Sequence, residues 1–119
     1  MKEFVLFFRL KNPQPIAATP DLLHARTAWL AALQAQNSLV DSGHTLAAFP
    51  AKIVTAVGTS TDLITVGAEC LSGYLVIRAI AVEEAVVLAQ SNPIFSLGGS
   101  IEVREIAQRP SSSQKPLDS

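Results

Sequence analysis

The first ten residues carry the densest apolar pattern of the chain and predict a strand. From Glu3 to Leu10, alternate residues are apolar on one face, and Val5 and Phe7 make most of the other face apolar as well. Successive side chains of a strand point to opposite faces, so both faces need to be covered. We expect helices to cover one face and a second sheet, from a partner chain, to cover the other.

A helix is predicted to begin at Thr19-Pro20-Asp21. A hydroxyl residue at the N-cap, proline at the first helical position and an acid in the first turn are typical of a helix start. We expect this helix to run to about Gln36, where Asn37 is suited to the left-handed conformation that ends many helices.

The middle of the chain alternates short apolar runs with turn residues. Thr45 to Phe49 predicts a strand entered by a turn over Leu39 to Gly43, and Ala51 to Ala56 predicts the next strand. The polar stretch from Gly58 to Asp62 is typical of a turn, and Leu63 to Val66 predicts a short strand after it.

The last third predicts a strand, a crossover helix and a closing strand. These are Leu71 to Ile80, Ala81 to Ser91, and Ile101 to Ile106 after the turn residues Gly98-Gly99-Ser100. This order is half of a ferredoxin-like α+β domain. We therefore predict an α+β fold, with an antiparallel sheet and two helices on one of its faces.

One domain accounts for the length of 119 residues. We place it at residues 1–107. From Gln108 the sequence is rich in serine and proline and poor in apolar residues, which predicts a flexible tail over residues 108–119.

Composition limits the partners of the protein. Hydrophobic residues make up 49% of the chain and charged residues only 16%, which favours apolar surface covered by a second subunit. The formal net charge is −1 and no cluster of lysines and arginines is present, so we expect no nucleic-acid partner.

Two features bear on the cellular compartment. Arg9 interrupts the first apolar run and no small-residue cleavage site follows, which argues against a signal peptide, and no run approaches the roughly 20 apolar residues of a membrane span. The single cysteine, Cys70, excludes an internal disulfide. We expect a cytoplasmic protein without membrane association.

Several short motifs occur in an order that resembles a known family. They are the Trp29-Leu30 helix with its following loop, Glu69 before Leu71-Ser72-Gly73-Tyr74, the Glu83-Glu84-Ala85 crossover helix, Asn92-Pro93 and the closing Ile101-Glu102-Val103-Arg104. Together they resemble the YCII-related proteins, and within them the DGPF-domain branch, up to about Ile106. The resemblance implies a dimeric α+β barrel, two ferredoxin-like subunits with facing sheets, in a family largely of unknown function.

The chain departs from that family at three points. The Asp-Gly-Pro-Phe signature would fall near Asp62-Leu63-Ile64, where only the aspartate matches. The histidine that the family carries on its first helix would fall at about Arg26, and its aspartate before the late proline is Asn92. A His–Asp acid/base pair therefore does not carry over.

Arg26 lies inside the apolar stripe of the first helix. On a helical wheel, Trp29 and Leu33 fall within about 20° of Leu22, Arg26 about 40° from it, and His24 about 200° away. His24 is therefore expected in solvent. An arginine in the stripe either meets a carboxylate, extends to water, or clamps an anionic small molecule with its planar fork.

Other polar residues are candidates for a binding site. His44 follows Gly43 at the predicted strand start and is a candidate for acid/base work, with Asp41 and Tyr74 as possible contributors. The two histidines are far apart in sequence and no carboxylate stands at metal-ligand spacing, so we expect no metal site and no cofactor.

Charged residues also alternate along the predicted strands. Arg78 shares a face with Tyr74, and Glu102 and Arg104 occupy the face opposite Ile101 and Val103, where Arg9 could join them. They form either cross-strand ion pairs or the polar lining of a barrel cavity.

These observations leave three hypotheses. The first is a homodimeric module, structural or binding a small anionic organic molecule, without catalysis. The second is a cofactor-free enzyme, isomerase- or oxygenase-like, in which Arg26 binds a small organic acid and His44 transfers protons. The third is a protein-interaction module, favoured by the apolar composition and the tail.

Overall fold

An antiparallel sheet of four strands forms the centre of the molecule in the computed structural model, which describes residues 1–11, 19–47, 52–61 and 69–107. The elements are β1 (Lys2–Lys11), α1 (Pro20–Ala35), β2 (Leu39–Thr45), β3 (Lys52–Thr55), β4 (Gly58–Thr61), β5 (Glu69–Ala79), α2 (Val82–Gln90), a 3-10 helix (Pro93–Leu97) and β6 (Ser100–Glu105). The strand order is β2-β5-β1-β6, and β3 and β4 form a separate hairpin. This is the predicted ferredoxin-like α+β fold.

Both helices pack on one face of the sheet. The alternate residues of β1 and β5 on this face are buried together with α1 and α2 residues in a single cluster: Phe4, Leu6, Leu75, Ile77, Ala79, Trp29, Leu33, Ala85 and Ala89. Trp29 and Leu33 are the residues that the helical wheel placed in the buried stripe. The periods of the strand and helix patterns therefore selected the core correctly.

The start and end of α1 follow the predicted capping chemistry. The Thr19 hydroxyl accepts a hydrogen bond of 3.1 Å from the backbone N–H of Leu22, and Pro20 is the first helical residue. Asn37 follows the helix with a φ of 60°, in the left-handed conformation. His24 is exposed, as the helical wheel indicated.

The second half of the helix layer has two capping contacts. The Glu84 carboxylate reaches back to the backbone N–H of Ile80 at 2.6 Å, which holds the start of α2 against the end of β5. After α2, the Asn92 side chain accepts from the backbone N–H of Ile94 at 2.7 Å and starts the 3-10 helix. Sequence patterning did not predict this short helix.

Strand β2 shares only Thr45 with the strand predicted from Thr45 to Phe49, and Leu46 and Ala47 lie beyond its end. Residues Leu39 to Gly43, expected as a turn, are part of the strand, because two register shifts along β2 let it pair with β5 despite its turn-forming residues. Gly43 has a φ of +63°, and a Cβ added there would lie 1.8 Å from the backbone oxygen of Tyr74. Only glycine fits that position.

The hairpin of β3 and β4 also differs from expectation. Residues Gly58 to Thr61, expected as a turn, form β4, and the turn lies before them. The strand predicted at residues 63–66 and the tail predicted at residues 108–119 lie outside the described residues.

The face of the sheet opposite the helices is open. Val5, Phe7, Tyr74, Val76 and Arg78 lie there and are half-buried. Within the described part of the chain, the helices pack on the other face, and the β3–β4 hairpin has no substantial contact with the sheet. The described residues of one chain therefore cover only one side of its sheet.

Candidate functional site

A cavity of about 440 Å³ opens between α1, the 3-10 helix and the ends of β2 and β5. Its walls are mostly apolar, and they include Phe8, Trp29, Leu75 and Ile94. The rings of Phe8 and Trp29 meet edge to face, with centroids 6.3 Å apart and planes at 81°. Such packing fixes the shape of the inner wall.

Trp29 is held in place both by burial of its ring and by a hydrogen bond from its indole N–H. Trp29 is 7% exposed within the core, and its indole N–H donates to the backbone carbonyl of Leu88 on α2 at 3.1 Å. This bond satisfies the polar atom of a buried tryptophan and ties α1 to α2. The cavity wall is therefore held by both helices.

Arg26 is the permanently charged residue of the described cavity lining. No other lysine or arginine, and no aspartate or glutamate, occurs among the described lining residues. Its guanidinium donates to the Thr45 hydroxyl at 3.1 Å, and in the described ranges no carboxylate is within ion-pair distance of it. The side chain is exposed, so the charge lies at the mouth of the cavity.

His44 and Tyr74 also border the cavity. The Nδ1 atom of His44 lies 2.9 Å from the Tyr74 hydroxyl, and the two residues are direct partners across β2 and β5. The next pair along, Thr45 with Gly73, belongs to the opposite face of the sheet because side chains alternate. The register therefore directs the His44 ring towards the open face and Thr45 towards Arg26.

Asn92 contributes a polar group deeper in the cavity. It is 9% exposed, and its Oδ1 is occupied by the backbone N–H of Ile94. Arg26 and Asn92 are the positions at which the family resemblance implied a histidine and an aspartate, and both border this one cavity. Asp41, in contrast, bonds the backbone N–H of Gly43 and is not among the lining residues.

The other predicted candidates lie outside the cavity. Arg9 forms an ion pair with Glu102 at 2.9 Å across β1 and β6, and Arg104 also bonds that carboxylate. Hydrogen bonds from Arg104 and, next in size, Arg9 hold the pKa of Glu102 below its ordinary value of 4.5, because they stabilise its charged form. Arg78 lies on the open face, where its Nε is buried without a hydrogen-bond partner in the described structure.

Sequence reasoning missed most of the cavity's lining. Trp29 was identified only as a core residue, and the walls formed by Ile94 and Leu97 depend on the unpredicted 3-10 helix. The signal that could have indicated this wall is Asn92-Pro93, an N-cap residue followed by proline.

Searches for relatives and for two kinds of site gave negative results. The chain matches no protein-family model, and a search of curated proteins found no match. The described residues contain no group of three or more His, Cys, Asp or Glu side chains that could hold a metal ion. No helix in those ranges is long and apolar enough to cross a membrane.

Proposed function

We propose that this protein is a homodimeric small-molecule-binding protein of the YCII-related type, and that it binds a small organic molecule in the cavity beside α1. The observation that carries the proposal is the composition of the cavity: apolar walls with a few polar groups at defined positions. Small-molecule sites have this composition, because apolar walls supply affinity and the polar groups fix orientation.

The size of the cavity supports the same conclusion. At about 440 Å³ it lies in the roughly 300–1,000 Å³ range of ligand pockets. Packing defects inside domains are usually far smaller than this, since protein interiors are filled to the density of organic crystals. A space of this size with a charged residue at its mouth is typical of a site that admits a solute.

The open face of the sheet supports the dimer. Val5, Phe7 and Val76 form adjacent apolar positions on it, and the described helices leave them partly exposed. A second copy facing this sheet would bury them, in the arrangement that the family resemblance implies. Sedimentation velocity of the purified protein tests this part, and a monomer at all concentrations would contradict it.

A panel of small organic molecules tests the binding site. We expect at least one compound to raise the melting temperature and to change the fluorescence of Trp29, the single tryptophan of the chain, because it forms a wall of the cavity. A panel of acids, amines and neutral compounds that leaves both readings unchanged would contradict the proposal.

A second candidate function is cofactor-free proton transfer on a small organic acid. The specific observation in its favour is the His44–Tyr74 hydrogen bond, which orients an imidazole on the open face of the sheet, next to the β2 residues that border the cavity. Incubation of the panel's organic acids with the protein in D₂O, followed by NMR, would detect deuterium incorporation. Incorporation that His44→Gln abolishes would support catalysis, and its absence would leave binding alone.

A further inference from the structure

We propose that the ligand of this cavity is an apolar monocarboxylate: one carboxylate group on a branched aliphatic or aromatic body. This inference rests on the proposed function, since it assigns a chemical class to the same site. Its basis is the distribution of charge and exposure around the cavity.

Charge selects an anion with a single negative group. Among the described residues, the lining includes one arginine and no acidic side chain, so a bound anion meets attraction at Arg26 without repulsion from a described carboxylate. A dicarboxylate would carry its second negative charge towards the apolar walls, where no second lysine or arginine of the described lining could balance it, and a phosphate would present two negative charges to one guanidinium. Burying an unpaired charge is costly, so the site favours a single one.

Geometry favours a carboxylate at Arg26. One terminal nitrogen of the guanidinium is bonded to the Thr45 hydroxyl, which fixes its orientation on α1 relative to β2. The remaining N–H groups of the planar fork have no hydrogen-bond partner among the described residues, so they can pair with both oxygens of a carboxylate. Thr45 therefore acts as a positioning residue for the charged contact.

Exposure orients the rest of the ligand. Arg26 is exposed at the mouth, while Leu75 is 3%, Trp29 7% and Ile94 8% exposed along the walls. A ligand whose carboxylate binds Arg26 would direct its body towards these buried apolar side chains. Contact with Phe8 and Trp29 suits an aromatic or branched body, which gains from dispersion and from removal of apolar surface from water.

The decisive experiment compares ligands that share a phenyl body and differ in charge. The probes are 3-phenylpropanoate, its neutral amide 3-phenylpropanamide, and phenyl phosphate as a dianion, each titrated into the full chain with Trp29 fluorescence and calorimetry as readouts. We expect the acid to bind at least about 10-fold more tightly than the amide, the value of a charge-assisted hydrogen bond. Phenyl phosphate should bind more weakly than the acid.

Two variants locate the effect. Arg26→Gln should weaken the acid by about 10- to 100-fold and leave the amide nearly unchanged, since only the charged contact is lost. Asn92→Asp keeps an oxygen to cap Ile94 but adds a negative charge to the lining, so it should also weaken the acid selectively. Arg104→Gln removes an equal charge outside the cavity and should leave every affinity unchanged.

The outcomes separate this proposal from the one it rests on. If the amide or the phosphate binds as tightly as the acid, or if Arg26→Gln leaves the acid unaffected, the monocarboxylate assignment is wrong while the cavity remains a binding site. If none of these probes and no member of the broader panel binds, the proposed function itself is wrong.

Discussion

The two faces of the sheet differ in how completely one chain covers them. On the helix face, Phe4, Leu6 and Ile77 are fully buried, and α1 and α2 supply their neighbours. On the open face, Phe7 and Val76 occupy equivalent strand positions but remain half-buried beside charged residues. The same strands thus form a fully buried core on the helix face and a half-buried surface on the open face. Substitutions on the two faces can therefore test stability and assembly separately.

The largest expected effect is on the free energy of unfolding, and it is measured by comparing one alanine substitution on the helix face with one on the open face. Phe4→Ala should lower the free energy of unfolding by about 3–5 kcal/mol, because it opens a cavity in a fully packed core. Phe7→Ala removes the same atoms from the half-buried face and should cost less within one chain. Urea denaturation at several protein concentrations measures both, and equal losses that do not depend on concentration would contradict the distinction.

A charge on the open face should act on assembly instead of folding. In the proposed dimer Phe7 lies at the interface, so we expect Phe7→Glu to weaken dimerisation by roughly 30-fold or more, since a carboxylate buried there loses its water. Val87→Glu is the control, because Val87 on α2 is 63% exposed and belongs to the helix layer. If Phe7→Glu still sediments as a compact dimer, the facing-sheet arrangement is wrong.

A smaller effect is expected where the helix layer begins. Thr19→Ala removes the hydroxyl that caps α1 and should cost about 1 kcal/mol in unfolding free energy. Thr27→Ala is the matched control, since the Thr27 hydroxyl only bonds a carbonyl within the same helix. Thermal and urea unfolding should separate the two variants, and similar stabilities would mean that the cap contributes nothing.

The smallest effect concerns pH and belongs to the open face. The pKa of Glu102 is lowered in the folded protein, so below pH 4.5 the unfolded chain binds this proton more readily than the folded one. The ion pairs therefore stabilise the fold above pH 4.5, and this contribution disappears as the pH falls through the lowered pKa. Glu102→Gln should flatten that part of the stability profile, measured from about pH 6 to about pH 3.

Salt provides the control for this prediction. Glu102 and its partners are accessible to solvent, so added salt should reduce the difference between wild type and Glu102→Gln. An unchanged acid limb in Glu102→Gln would contradict the assignment of the titration to this carboxylate.

Sequence patterns predicted the helix face better than the rest of the molecule. The wheel of α1 identified Trp29 and Leu33 as core residues, because burial imposes the helical period directly. Strand β2 escaped prediction because its two register shifts break the alternation that a pattern can detect. Turn-forming residues such as Gly43 serve inside this strand instead of ending it.

For the candidate site, the sequence indicated single residues but not the contacts between them. An arginine inside an apolar stripe pointed to Arg26, but its contact with Thr45 depends on the exact register of β2. The wall formed by Ile94 depends on a 3-10 helix whose sequence signal is only a few residues long. Residues distant in sequence meet in a cavity through tertiary packing, which local patterns do not encode.

The irregular edge of β2 also bears on how large an assembly of this protein can become. A straight strand at a sheet edge presents a template to which further chains can add without limit, as in amyloid fibrils. Here the register shifts around Asp41 and the left-handed backbone at Gly43 distort that edge. The other edge, β6, carries charged residues at Arg104 and Glu105. Both edges therefore oppose fibril growth.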